Sequence, residues 1–244
     1  MNAPHPLVDR IAQSLLPLWK DLPEVAALPL EANLREVRGE LEGDEMAINN
    51  ELLRCRGIRK IHLETAHIGR NLDILHCVMF PDPCFNLPLF GADIVAGRAG
   101  ISAAIVDLSP TNDDLPSAIK AGLQKIKRNN YSQVREVPPW GTIFSSQVLF
   151  VRPTSSIEED WFLTDLLAFH QVFLEQLRLS MPQSPDHPDS QRRYQGQLHY
   201  CQQQRRNDKT RRVLEAAFNP QWAENYIQNL LFDDPLPPAE HPSG

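Results

Sequence analysis

Four stretches decide the fold: IRKIHLETA (58–66), LDILHCVMF (72–80), GADIVAG (91–97) and ISAAIVD (101–107). Each is short, rich in β-branched and apolar residues, and bounded by turn formers. Gly69, Pro81, Pro83 and Gly97 sit in the connections. Strands joined this tightly are antiparallel, because a parallel crossover needs about a dozen residues or more. Upstream, 34–42 and 45–53 read as two further strands, and Gly43-Asp44 between them predicts a hairpin. Downstream, QVLFVR (147–152) supplies another strand.

Helical patterns flank this block. Leu7, Ile11, Leu15, Leu18 and Trp19 lie near one face of a helix over 6–20. Residues 114–127 also read as helix. Ser155-Ser156-Ile157-Glu158 offers a capping box that opens a helix to about 179. The proline-broken stretch MPQSPDHPD (181–189) separates it from helices at 189–206, 209–218 and 220–231. Helices at both ends and an antiparallel sheet between them predict one α+β domain over 1–244, with helices on both faces of the sheet. A proline-rich, flexible tail is expected from about 234.

Composition narrows the function. The chain has 244 residues, 42% hydrophobic and 23% charged, which suits a globular domain able to enclose a small molecule. No run is apolar enough for a membrane span, and the N-terminus lacks the pattern of a secretory signal. A cytoplasmic monomer with no membrane insertion is therefore expected. Cys55, Cys77, Cys84 and Cys201 form no CxxC pair and read as reduced thiols. A net charge of −7 disfavours nucleic acid. Basic residues nevertheless gather at Arg205–Arg212 and at Lys125, Lys127 and Arg128, a pattern suited to a small acidic partner, to anionic groups on a ligand, or to a solvated helix face. There is no HExxH, GxGxxG, P-loop or nucleophile elbow, so neither a metal nor a nucleotide or flavin cofactor is expected.

Polar residues in apolar strands are the candidate site. Alternation puts His62 and Glu64 on one strand face, and His76 with Leu72, Ile74, Val78 and Phe80. Asp93 interrupts the apolar run 90–96. A buried carboxylate must be paired, hydrogen-bonded or protonated, and burial raises its pKa. Asp93 thus reads as a proton donor near neutral pH. If these strands are neighbours, Glu64, His76 and Asp93 converge.

Several segments carry a family resemblance: Leu72–Pro81, Leu87–Val95, Ile101–Pro110, Val137–Gly141, His199–Gln204 and Asn207–Glu215. Together they resemble the ferredoxin-dependent bilin reductases over about 34–232. Within the family, Ile61-His62-Leu63-Glu64 resembles the phycocyanobilin-forming branch, and Ala92 stands where cysteine is expected. The resemblance implies an α/β/α sandwich with a pocket between the sheet and the C-terminal helices. It implies four-electron reduction of biliverdin IXα through a dihydrobiliverdin. Single electrons come from reduced ferredoxin, the pigment holds them as radicals, and no cofactor is permanently bound. By resemblance, Asp93 contacts the pyrrole nitrogens and gives the first proton. His76 bonds a lactam oxygen and relays protons, and Glu64 lies beside the D-ring vinyl group. His62 supports them, Ser102, Arg135 and Lys209 grip the propionates, and Asn207 lies near the pocket. Another bilin reductase, a non-catalytic bilin carrier and a nucleic-acid module are the competing readings.

Overall fold

A computed structural model of the chain describes residues 5–69 and 72–240. Its centre is an eight-stranded antiparallel sheet in the order β1-β3-β4-β5-β6-β7-β8, with β2 also paired to β3. The strands are β1 (Ala26–Ala27), β2 (Glu36–Leu41), β3 (Asp44–Cys55), β4 (Ile58–Ile68), β5 (Leu72–Pro81), β6 (Leu89–Gly97), β7 (Gly100–Ser109) and β8 (Leu149–Val151). The expected hairpin closes through Glu42 (φ 54°) and Gly43 (φ 87°). Two successive positive φ values make the tight turn that matches strand twist, which explains the glycine.

One sheet face carries α1 (Pro6–Trp19), α3 (Ser117–Gln124) and α4 (Ser156–Leu179). Their apolar side chains enclose Ile61, Leu63, Leu75, Cys77, Phe90, Ala92 and Ile94. The other face carries α5 (Pro188–Gln204), α6 (Asp208–Ala217) and α7 (Pro220–Tyr226) over Met46, Ile48, Val78 and Phe80. Because strand side chains alternate, the two cores are built from opposite parities of the same strands. The result is the expected three-layer α/β/α sandwich.

Local differences have local causes. The start of the 34–42 run forms a four-residue helix, α2 (Ala32–Arg35), before β2. The helix expected over 114–127 is shorter and starts after Pro116. At α4, the Ser155 hydroxyl accepts from the Glu158 N–H as a cap should, but Glu158 does not close the box. Its carboxylate instead accepts from the backbone N–H groups of Thr154 and Ser132, each at 2.7 Å, and ties the 132 segment to the helix. Beyond 234, where a flexible tail was expected, Pro235 and Pro238 are buried. Residues 241–244 lie outside the described residues.

Helix α5 is polar in sequence yet packs closely. A Cβ at Gly196 would lie 2.0 Å from the Thr111 carbonyl oxygen, so only glycine allows this approach. Arg193 donates to the Pro83 carbonyl at 2.7 Å and Gln197 to the Pro81 carbonyl at 2.7 Å. Buried polar side chains are tolerated here because each meets a carbonyl left free by the turn after β5. Among the described residues, no helix is long and apolar enough to cross a membrane.

Candidate active site

The α5–α7 face carries a polar row across four neighbouring strands. Register pairs Asn50 of β3 with Glu64 of β4, Glu64 with His76 of β5, and His76 with Asp93 of β6. Directly opposed residues on one face lie about 5 Å apart. Three antiparallel pairings therefore assemble what the sequence scatters over more than forty positions.

The row has a buried end and an open end. His62 is fully buried, Asn50 is 2% exposed and Glu64 8% exposed. The Asp93 side chain is 42% exposed, which corrects the expectation of a buried aspartate. Its near neighbours on this face, Val95, Ala103 and Ile105, are also only half-buried. Burial pushes the Glu64 pKa up.

His76 Nδ1 lies 2.7 Å from Asp93 Oδ1. Burial is the largest influence on the His76 pKa and lowers it, but the charge and hydrogen bond of Asp93, together with Glu64, outweigh it and the net shift is upward. A raised histidine pKa stabilises the fold fully below the ordinary histidine range and loses that contribution as pH rises through the raised value. In Asp93→Asn, burial acts without that charge, and His76 should titrate lower than in the parent. Nitrogen-15 NMR of the imidazole measures this; an unchanged His76 titration would contradict the pairing. The other ring nitrogen, Nε2, is buried without a hydrogen-bond partner, and Phe232 packs against the ring edge-on at 5.4 Å.

His62 Nε2 lies 2.8 Å from Asn50 Oδ1, and the Asn50 amide nitrogen donates to the Leu34 carbonyl at 2.7 Å. That second bond fixes the amide, so His62 Nε2 must be the donor. Its pKa is pushed well below the usual value, first by burial and then by Lys60 and His76, so the ring is neutral. Tyr226, at the end of α7, places its hydroxyl 2.6 Å from Glu64 Oε2 and 2.9 Å from Asn50 Oδ1.

A β-bulge at Arg59 breaks the alternation of β4 and brings both Arg59 and Lys60 to Asp233. Lys60 also donates to the Leu230 carbonyl at 2.7 Å, closing the π-helical turn Ile227–Leu231 after α7. Burial pulls the Lys60 pKa down to about 8 against the opposing charge of Asp233. This clamp holds Phe232 against His76.

Ser102 and Arg135 meet beyond the open end of the row. A bulge in β7 turns Ser102 outward, and the Arg135 guanidinium donates to the Ser102 carbonyl at 2.6 Å. They line a groove of about 680 Å³ with Ser132, Gln133, Val134 and Arg152. Asn207 and Lys209 make no hydrogen bond with the row. The Asn207 side chain caps α6 by accepting from the Lys209 N–H, and the Lys209 side chain is exposed. Among the described residues, no group of three or more His, Cys, Asp or Glu is placed to hold a metal ion.

Asn50 and Tyr226 were not anticipated. A signal for Tyr226 existed: Phe218, Trp222 and Tyr226 recur every four residues, and their rings stack at 4.0 and 4.7 Å. No comparable signal marks Asn50, because an asparagine beside another asparagine in a strand reads as a polar edge.

Comparison with known proteins gives a single answer. A family profile described as "Ferredoxin-dependent bilin reductase" matches residues 12–233. Phycocyanobilin:ferredoxin oxidoreductase of Synechococcus sp. (strain CC9902) is 53% identical over 234 residues, covering 96% of this chain and 95% of that protein. The protein of the same name from Gloeobacter violaceus (strain ATCC 29082 / PCC 7421) is 46% identical, covering 95% and 91%. Tomato phytochromobilin synthase, solved in complex with biliverdin, shares the fold with a TM-score of 0.77 at 18% identity, covering 92% of this chain and 82% of that one. With a profile spanning nearly the whole fold and relatives of this identity over nearly full length, the chain belongs to the ferredoxin-dependent bilin reductase family.

Proposed function

We propose that the chain reduces biliverdin IXα to phycocyanobilin through a dihydrobiliverdin, with single electrons from reduced ferredoxin. The observation that carries this is the Glu64–His76–Asp93 row: three ionisable side chains on adjacent strands of one face. Each of the two reductions needs two electrons and two protons. Ferredoxin supplies electrons only, and the conjugated pigment holds the odd electron between deliveries. The protein's own work is to bind, orient and protonate.

The row divides that work by environment. Asp93, at the open end, meets the pyrrole nitrogens and gives the first proton. It takes that proton from His76 Nδ1: at rest the Asp93 carboxylate favours the protonated imidazole, and the Nε2–H that His76 keeps can donate to a lactam oxygen. Glu64, buried and with a raised pKa, retains its proton until the D-ring vinyl group takes it. Ser102 and Arg135 hold one propionate in the groove, where a guanidinium already fixed by a carbonyl makes an oriented donor. Lys209 supplies charge for the other.

Anaerobic turnover with biliverdin and reduced ferredoxin tests the reading. A carrier would leave the pigment spectrum unchanged, and another bilin reductase would yield a different product. Carriers need shape and propionate contacts, not a proton-bearing row.

The basic stretch 205–212 is the proposed docking side for ferredoxin, with one revision. Arg205 donates to the Phe232 carbonyl at 2.9 Å and pairs with Asp234, so it belongs to the C-terminal clamp. Arg206 and Arg212 are exposed and make the better test. Reversing both to glutamate should raise the KM for ferredoxin several-fold at low salt, with kcat little changed. The effect should shrink as salt shortens screening to about 8 Å and below. A KM for ferredoxin that ignores both salt and charge reversal would remove this surface.

A further inference from the structure

The Tyr226 hydroxyl stands between two oxygens, Glu64 Oε2 at 2.6 Å and Asn50 Oδ1 at 2.9 Å. It has one hydrogen to give. The Asn50 amide cannot turn to offer its nitrogen, because that nitrogen is held by the Leu34 carbonyl. Both contacts are favourable at once in one arrangement only: Glu64 is a neutral acid donating to the Tyr226 oxygen, and Tyr226 donates to Asn50. An ionised Glu64 would take the tyrosine hydrogen and leave two oxygens facing each other at 2.9 Å.

We infer that Tyr226 is a positioning residue for Glu64, a two-way partner that accepts from the acid at rest and donates to it when its proton is delivered. This deepens the proposed function and rests on it for the identity of the proton acceptor. The torsion that turns a glutamate carboxyl is broad and roughly two-fold. A half-turn carries the acid hydroxyl away from Tyr226 and brings the bare oxygen to it. The tyrosine hydrogen then rotates from Asn50 to that oxygen. Asn50 is not stranded, because His62 Nε2 still donates to it at 2.8 Å. When the proton leaves Glu64, the same hydrogen bond stabilises the carboxylate. No proton leaves Tyr226 at any point: one O–H bond breaks on Glu64, one bond to hydrogen forms on the acceptor, and the phenol only rotates.

The surroundings fit a fixed ring with a free hydroxyl rotor. Trp222 stacks on the Tyr226 ring at 4.7 Å and 16°, and Phe218 stacks on Trp222. Burial and the nearby Glu64 raise the phenol pKa well above its usual value, so it stays protonated. The titratable groups facing Glu64 are His76, Asp93 and Tyr226, with His62 and Lys60 next beyond on its own strand. Burial raises the Glu64 pKa and outweighs His76 and the Tyr226 hydrogen bond, which both favour the carboxylate.

Two measurements on the full chain test this. Infrared spectroscopy of the protein without pigment should show a carboxylic-acid C=O band that disappears in Glu64→Gln. In Tyr226→Phe, which keeps the stacked ring, that band should move to higher frequency as its hydrogen bond is lost. In turnover, Tyr226→Phe should slow the vinyl reduction by about 10- to 100-fold, the usual worth of a hydrogen bond to a charged group. The A-ring reduction should be unaffected, so a product keeping its D-ring vinyl accumulates. The absence of any acid band assignable to Glu64 would overturn the inference, as would a Tyr226→Phe protein with an unmoved band or an unmoved product ratio. The infrared measurement needs no pigment, so it fails or succeeds independently of the bilin-reductase reading. If the parent chain does not reduce biliverdin at all, that reading fails instead.

Discussion

Asp93→Asn should bind biliverdin and scarcely reduce it. Asparagine has the same shape, and its amide oxygen can still accept from His76 Nδ1, now 2.7 Å from the aspartate. It cannot hold a transferable proton. Losing one general acid costs about 10²- to 10⁴-fold in rate. A second loss adds to the first, because the aspartate charge contributes most to raising the His76 pKa against burial. With an amide there, His76 loses its proton at lower pH and its Nε2 donor with it. The expected result is therefore a loss near the upper end of that range, with the pigment still bound. Visible spectroscopy measures binding, and single-turnover kinetics with reduced ferredoxin measure rate. Turnover close to the parent would remove Asp93 from the chemistry.

Glu64→Gln should change what is made rather than whether anything is made. Glutamine fills the same space and can still take part in the Tyr226 hydrogen bond, so the pocket keeps its shape. It removes one proton donor, at the buried end of the row. Water does not readily replace it, since Glu64 is only 8% exposed. The A-ring reduction involves other atoms and the open end of the row, where Asp93 and His76 are intact. The product should shift from phycocyanobilin to a bilin that keeps its D-ring vinyl group, such as phytochromobilin. Chromatography with mass analysis decides between them. A normal yield of phycocyanobilin at normal rate would show that Glu64 does not protonate the vinyl group.

The sequence was informative wherever periodicity and local chemistry coincide. Alternation in 58–66 and 72–80 put His62, Glu64 and His76 on definite faces, and short connections forced antiparallel neighbours. Together these made the row foreseeable. Three kinds of information were not local. The exposure of Asp93 depends on which helices cover β6, and an apolar run of sequence cannot show that one side of a strand is left half-open. Asn50 and Tyr226 join the row through contacts 12 and 162 residues from their partners His62 and Glu64, set by register and by the docking of α7. The β4 bulge is a third case. It places Arg59 and Lys60 together on Asp233 against simple alternation, so the basic pair reads in sequence as one inward and one outward side chain.

The basic run at 205–212 teaches the opposite lesson. Read as charge, it is one patch. In the fold, Arg205 is spent on the C-terminal clamp, Arg211 pairs with Glu224, and Asn207 caps the helix that follows. Exposure, not count, separates a docking charge from a structural one.

The central claim is that the Glu64–His76–Asp93 row faces the pigment along its length. A crystal structure of the chain with bound biliverdin tests it most directly. The account predicts the tetrapyrrole between the sheet and α5–α7, with Asp93 within hydrogen-bond reach of the pyrrole nitrogens, His76 Nε2 on a lactam oxygen, and the D-ring vinyl beside Glu64. A pigment seated on the α1–α4 face, or one whose D-ring vinyl points away from Glu64, would contradict it.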